Sequence, residues 1–190
     1  MAGLFPLVVG LGNPGAAYRN TRHNVGFAAL DRWADKHGAA WKTCRFADAL
    51  VAQVPEGIWL AKPQSYMNCS GPEVVRMLRW FKLLPGQMIV VVDDVHLPVG
   101  RLRLRVSGSE GGHNGLRSVA SATGTQAYPR LRCGVGSADP SKDLKDHVLG
   151  HFRRDEQETV EKMIARAVDG LGRAQSVGLE AVMNELNGTV

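Results

Sequence analysis

The chain has 190 residues, 44% of them apolar and 22% charged, with a formal net charge of +5. That suffices for one core of ordinary size, so residues 1–190 are expected to form one domain, and neither a bilayer-spanning apolar run nor a secretory leader is indicated. Cys44, Cys69 and Cys133 are odd in number and lack metal-type spacing, so they read as buried thiols of a reducing, cytoplasmic compartment.

Leu7, Val8 and Val9 form a β-rich run that empties into Gly10-Leu11-Gly12-Asn13-Pro14-Gly15. Tyr18 and Thr21-Arg22-His23-Asn24 follow, before Phe27, Leu30, Trp33 and Ala34 recur at helical spacing. These polar residues therefore fall at the C-terminal end of a strand, where open α/β sheets place their sites. The glycines also satisfy the dinucleotide pattern G-x-G-x-x-G, with Asp31 or Asp35 near the place of a ribose-binding acid. The pattern is weak here, because Pro14 removes a backbone donor and the polar run postpones the helix beyond the glycines.

Strands are predicted over 7–11, 50–54, 58–61, 88–92, 101–105 and 130–135, and helices over 24–37, 72–81, 114–121, 155–171 and 179–186. This alternation favours an α/β sandwich, a twisted mixed β-sheet flanked by helices. Pro98-Val99-Gly100 reads as a turn between adjacent strands, 107–112 as a flexible loop leading to a helix mouth at His113-Asn114, and 138–141 as a surface loop. Glu156, Glu158, Glu161 and Lys162 read as a solvated helical face. Arg101, Arg103 and Arg105 alternate with Leu102 and Leu104, and Arg130 and Arg132 flank Leu131, so at strand period each set shares a face. Charge alone makes this a solvated surface; a nucleic-acid backbone is the functional alternative.

Four polar clusters interrupt the apolar pattern at element ends: Asn13 with His23, Tyr66-Met67-Asn68, Asp93-Asp94, and His113-Asn114. A histidine takes a proton from water near neutral pH, and a carboxylate beside it fixes its tautomer and stabilises the imidazolium. Asparagine amides hold a peptide backbone or a developing oxyanion without changing charge. Together these residue types specify hydrolysis without a covalent nucleophile, although each alone has a plain role as a cap, turn or loop donor. His147 and His151 are four apart, but Gly150 intervenes and no glutamate is adjacent as in zinc peptidases. Asp93, Asp94 and His96 complete no metal set, and Ser65 and Ser70 lack a nucleophile elbow.

The segments 9–15 and 21–26, Lys62-Pro63-Gln64-Ser65-Tyr66-Met67-Asn68-Cys69-Ser70-Gly71, Asp93-Asp94, Gly111-Gly112-His113-Asn114-Gly115-Leu116, Tyr128-Pro129-Arg130-Leu131-Arg132 and Val148-Leu149-Gly150 occur in order over nearly the whole chain. Together they resemble bacterial-type peptidyl-tRNA hydrolase. The resemblance implies an enzyme that cleaves the ester between a peptide, or an N-blocked amino acid, and the tRNA 3′ ribose, with no metal or organic cofactor. It implies a cytoplasmic monomer that meets the tRNA acceptor end and the peptide, and no membrane. His23 then matches the catalytic base, Asp93 its supporting carboxylate, and Asn13 the residue that tells blocked from free aminoacyl groups. Tyr18, Tyr66, Asn68 and Asn114 fall on substrate-contacting positions, with Met67 and His113 shaping the site. Arg103 and Arg105 match basic positions that face tRNA phosphates. The chain departs from the family pattern at His96, Val106, Ser107, Glu110 and Ser137, all of which bear on tRNA docking. An RNA-binding protein on the same fold is the alternative; binding alone requires no base with a carboxylate partner.

Overall fold

The computed structural model describes residues 5–139, 141 and 143–188. Its strands are β1 (Leu7–Gly10), β2 (Lys42–Thr43), β3 (Ala49–Gln53), β4 (Trp59–Pro63), β5 (Met88–Asp94), β6 (Leu102–Arg105) and β7 (Arg130–Gly134). They form a seven-stranded sheet in the order β2-β3-β4-β1-β5-β7-β6. Its centre is parallel, β4 to β1 to β5 to β7, while β2, β3 and β6 add antiparallel pairings at the edges. The helices are α1 (Val25–Lys36), α2 (Ser70–Phe81), α3 (Asn114–Thr123), α4 (Leu144–Leu149), α5 (Arg154–Val177) and α6 (Leu179–Asn187).

The sheet is covered on both faces, which is why its central strands read as continuous apolar runs. Val8, Ile89, Val91 and Leu131 join a core with Trp33 of α1, Met163 of α5 and Val182 of α6. Leu7, Val9, Val90 and Val92 join a second core with Val74 and Met77 of α2 and Leu116 and Val119 of α3. The mixed sheet flanked by helices agrees with the expected class. Among the described residues, no helix is long and apolar enough to cross a membrane.

The glycines after β1 serve packing. A Cβ on Gly10 would lie 2.5 Å from the Gly26 carbonyl oxygen, and one on Gly26 would lie 2.5 Å from that of Val91, so α1 sits directly against the sheet. The chain passes through 3-10 turns at Ala16–Tyr18 and Arg22–Asn24 before α1 begins at Val25. Asp31 is ion-paired with Lys62 of β4. The dinucleotide pattern thus has no helix mouth at its glycines, and Asp31 is not free to hold a ribose.

Several expectations are corrected. The Pro98-Val99-Gly100 turn does not join neighbouring strands, because β7 inserts between β5 and β6. The strand at Lys42–Thr43 and the helix at Leu144–Leu149 were not foreseen: the first has two exposed residues and the second no buried one, so neither shows apolar periodicity. α2 starts at Ser70 and α5 runs to Val177, each beyond its predicted bounds. Pro140 of the expected 138–141 loop lies outside the described residues. Only Cys133 is a buried thiol; Cys44 is half-buried and Cys69 exposed. Burial, and then the charge of Asp93, push the Cys133 thiol up to about 12, leaving it protonated and inert.

The edge at β6 is closed by a side chain. Asn187 of α6 accepts the Leu104 N–H through Oδ1 at 2.6 Å and donates to the Leu104 carbonyl at 3.2 Å, as a neighbouring strand would.

Candidate active site

The parallel strands β4, β1 and β5 end along one edge of the sheet. The residues that follow β4 and β1, the end of β5, the start of α3 and the inner side of α4 surround a cleft of about 650 Å³. Asn13, Tyr18, His23, Tyr66, Met67, Asn68, Asp93, His113 and Asn114 all line it. The sequence scatters them over a hundred positions; the sheet order brings them together.

Asn13 follows β1 and is held by Asn24, which sequence reading left without a role. The Asn13 N–H donates to Asn24 Oδ1 at 2.8 Å, and Asn24 Nδ2 donates to the Asn13 carbonyl at 2.9 Å. The Asn13 side-chain oxygen accepts the Met67 N–H at 2.8 Å. With the oxygen spent on the protein, the NH2 group is the part of the amide left to donate in the cleft.

His23 sits in the turn before α1, with its Nδ1 2.8 Å from Asp93 Oδ1. The same carboxylate oxygen lies 2.9 Å from His113 Nε2. His113 is the N-cap of α3, and its Nδ1 accepts the backbone N–H groups of Gly115 and Leu116 at 3.1 and 3.2 Å. A nitrogen that accepts two N–H groups carries no proton, so Nε2 bears the hydrogen and His113 donates to Asp93. Burial alone would push the Asp93 carboxyl up, but His113 and then His23 outweigh it and hold that carboxyl well below the usual carboxylate range. An ionised Asp93 accepts from His23 Nδ1–H, which leaves the His23 Nε2 lone pair free to take a proton.

His23, Asp93 and His113 also place ligand-type atoms within 4.8 Å of one another. Those atoms already satisfy each other as donor and acceptor, so a cation there would have to displace both imidazole protons. His147 and His151 do not converge on a metal site: His147 Nε2 meets the Gly136 carbonyl at 2.8 Å and His151 Nδ1 that of Asn20 at 3.3 Å.

Around this centre, Met67 and His113 are buried, whereas Asn68 and Asn114 are exposed on the rim. Tyr18 and Tyr66 meet edge to face, with ring centroids 6.2 Å apart. α4 contributes Leu144, Lys145, Val148 and Leu149 as a wall; the sequence motifs include Val148 and Leu149 but give them no role.

Arg103 and Arg105 stand apart from the cleft, exposed on β6. Their register partners Arg132 and Arg130 share their face of the sheet, as the alternation predicts, but are not free. Arg130 is buried and donates to the carbonyls of Tyr128, Gly108, Ser109 and Gln126. Arg132 donates to Asp94 Oδ2 at 3.2 Å and to the Ser109 carbonyl at 2.8 Å. β7 is an interior strand, so its arginines are enlisted to hold the loop before His113; β6 is an edge strand, so its arginines remain in solvent.

The fold and the site define an α/β protein with a histidine–carboxylate pair at the carboxyl edge of a mixed sheet. A family model described as peptidyl-tRNA hydrolase matches residues 7–190. The chain is 46% identical over 190 residues to the peptidyl-tRNA hydrolase of Synechococcus sp. strain CC9311, covering 96% of this chain and 92% of that protein. It is 40% identical over 184 residues to that of Chloroflexus aggregans, covering 95% and 98%. The crystal structure of peptidyl-tRNA hydrolase from Acinetobacter baumannii superposes with a TM-score of 0.92 at 32% identity, covering 98% of this chain and 96% of that one. The chain belongs to the peptidyl-tRNA hydrolase family.

Proposed function

We propose that this chain hydrolyses the ester between a peptide or N-blocked amino acid and the tRNA 3′ ribose, with His23 as general base. The observation that carries the reading is the His23–Asp93 pair facing the same cleft as the Asn13 amide. Water attacks the ester carbonyl as His23 Nε2 takes its proton, and Asp93 stabilises the imidazolium that forms. The amide of Asn13 donates to the carbonyl as its oxygen gains charge. Imidazolium then returns the proton to the departing ribose oxygen. Asn68 and Asn114 on the rim, with Tyr18 and Tyr66, suit the peptide and the terminal nucleoside, and Met67 forms the apolar floor. This is work for a cytoplasmic monomer that meets its substrate as tRNA. The test is release of free tRNA from an N-blocked aminoacyl-tRNA by the purified protein without added metal; no release would overturn the reading.

Asn13→Ala is expected to weaken discrimination between N-blocked and free aminoacyl-tRNA more than affinity for the tRNA body. The substitution removes the cleft-facing donors but leaves the backbone clamp by Asn24. Comparing kcat/KM for both substrates checks it, and a uniform loss on both would count against the assignment.

Arg103 and Arg105 are proposed to meet tRNA phosphates. Alanine at either position should raise KM for full-length peptidyl-tRNA and leave a short ester lacking the tRNA body unaffected. Each change should flatten the dependence of log affinity on log salt by about 0.7–0.9, extending the values for nucleic-acid phosphates. Unchanged slopes in both variants would place tRNA docking elsewhere.

A further inference from the structure

Arg22 precedes His23 in the chain, yet its side chain is turned away from the cleft and buried at 6% exposure. Nη1 donates to the Val135 carbonyl at 2.9 Å and Nη2 to Glu156 Oε2 at 2.7 Å, while the guanidinium lies 4.7 Å from the centre of the Phe152 ring. The Arg22 backbone N–H donates to the Gly150 carbonyl at 2.9 Å, and Thr21 bridges to His151. Glu156, expected on a solvated face, is instead largely buried here. Its Oε2 also accepts the Arg153 N–H at 2.7 Å and so caps α5. Burial opposes its charge, but Arg22 and the Arg153 N–H hold its carboxyl below the ordinary range.

Two of the acceptors that Arg22 engages, Val135 and Gly150, adjoin the active site. Val135 follows β7, and its N–H donates to the Asp94 carbonyl at 3.1 Å, next to Asp93. Gly150 is the C-cap of α4, whose Val148 and Leu149 line the cleft. A buried ion pair contributes little net stability compared with apolar side chains of like volume, so stability alone is a poor reason for this one. A planar fork that spans two acceptors does fix a geometry, which a lysine cannot reproduce.

We infer that Arg22 is a positioning residue, which through Val135, Glu156 and Gly150 sets the distance between His23 and Asp93 and the stance of the α4 wall. The inference rests on His23 being the base, where a misplacement of about 1 Å costs on the order of a hundredfold in rate.

Two variants test it. Arg22→Lys keeps the charge but not the fork; Arg22→Met with Glu156→Gln removes both charges and keeps an acceptor for the Arg153 N–H. Each is assayed on N-blocked aminoacyl-tRNA at a temperature where circular dichroism shows it folded, and the His23 Nδ1 proton bonded to Asp93 is followed by NMR. The expected result is a kcat reduced roughly tenfold to a hundredfold with KM changed by less than about threefold, and a displaced or exchange-broadened Nδ1 proton. A folded double variant with parental kcat and an unmoved Nδ1 proton makes the pair merely structural and overturns the inference. Should the double variant not fold, Arg22→Lys alone is read by the same criteria. His23→Ala, run alongside, separates the two ideas: if it retains turnover, the base assignment is what has failed.

Discussion

His23→Ala is expected to lower kcat roughly 10²–10⁴-fold, the usual contribution of a positioned general base, while leaving the protein folded. Among the described residues the side chain makes one hydrogen bond, to Asp93, and Asp93 retains its second donor in His113. The loss in stability is then about 1.5–3 kcal/mol, a shift of roughly 3–12 °C in Tm for a chain of this size. The rate is measured on N-blocked aminoacyl-tRNA and folding by thermal melting. A folded variant that turns over at near-parental rate would remove His23 from the reaction and, with it, the proposed mechanism.

Asp93→Asn should cost less and change the pH dependence. The amide oxygen still accepts from both histidines, so their ring orientations survive, but the negative charge that favours imidazolium is gone. A hydrogen bond to a charged group is worth about 1.5–3 kcal/mol, which corresponds to a drop in kcat of roughly tenfold to a hundredfold. The sign of the pH effect follows from which form is active. The base must be neutral, so protonation on the acid side costs rate, and loss of the negative charge that favours imidazolium is expected to move the acidic limb of the variant to lower pH. Asp93 itself, held well below the usual carboxylate range, adds no limb of its own in the working range. An acidic limb that stays in place would show that His23 and Asp93 do not act as a pair.

Both experiments concern residues visible in the sequence, because a histidine after a glycine-ended strand and a paired aspartate at the end of an apolar strand carry their chemistry in their type and place. Other parts of the site carried no such mark. Asn24 looked like the start of a helix, and its task, clamping the Asn13 backbone, depends on a loop that folds back across eleven positions. The wall formed by α4 has no buried residue and hence no periodic pattern. Glu156 sits among Glu158, Glu161 and Lys162 like any surface residue, and its ion pair with Arg22, 134 positions earlier, sets it apart from them.

The local pattern of the chain determined its strands and helices apart from β2 and α4, since burial on both faces of a parallel sheet demands continuous apolar runs and helices of amphipathic period. It also determined the residue types available for catalysis and, through several motifs in order, the family. The tertiary structure decided what those residues do. The insertion of β7 between β5 and β6 buried Arg130, tied Arg132 to Asp94 and left Arg103 and Arg105 exposed on the edge, although all four alternate alike in sequence. The capping of α3 by His113 decided which of its nitrogens carries the proton and therefore that Asp93 receives two donors. Strand order and cap geometry depend on contacts between distant segments, and a pattern read over one or two turns of chain contains no information about them.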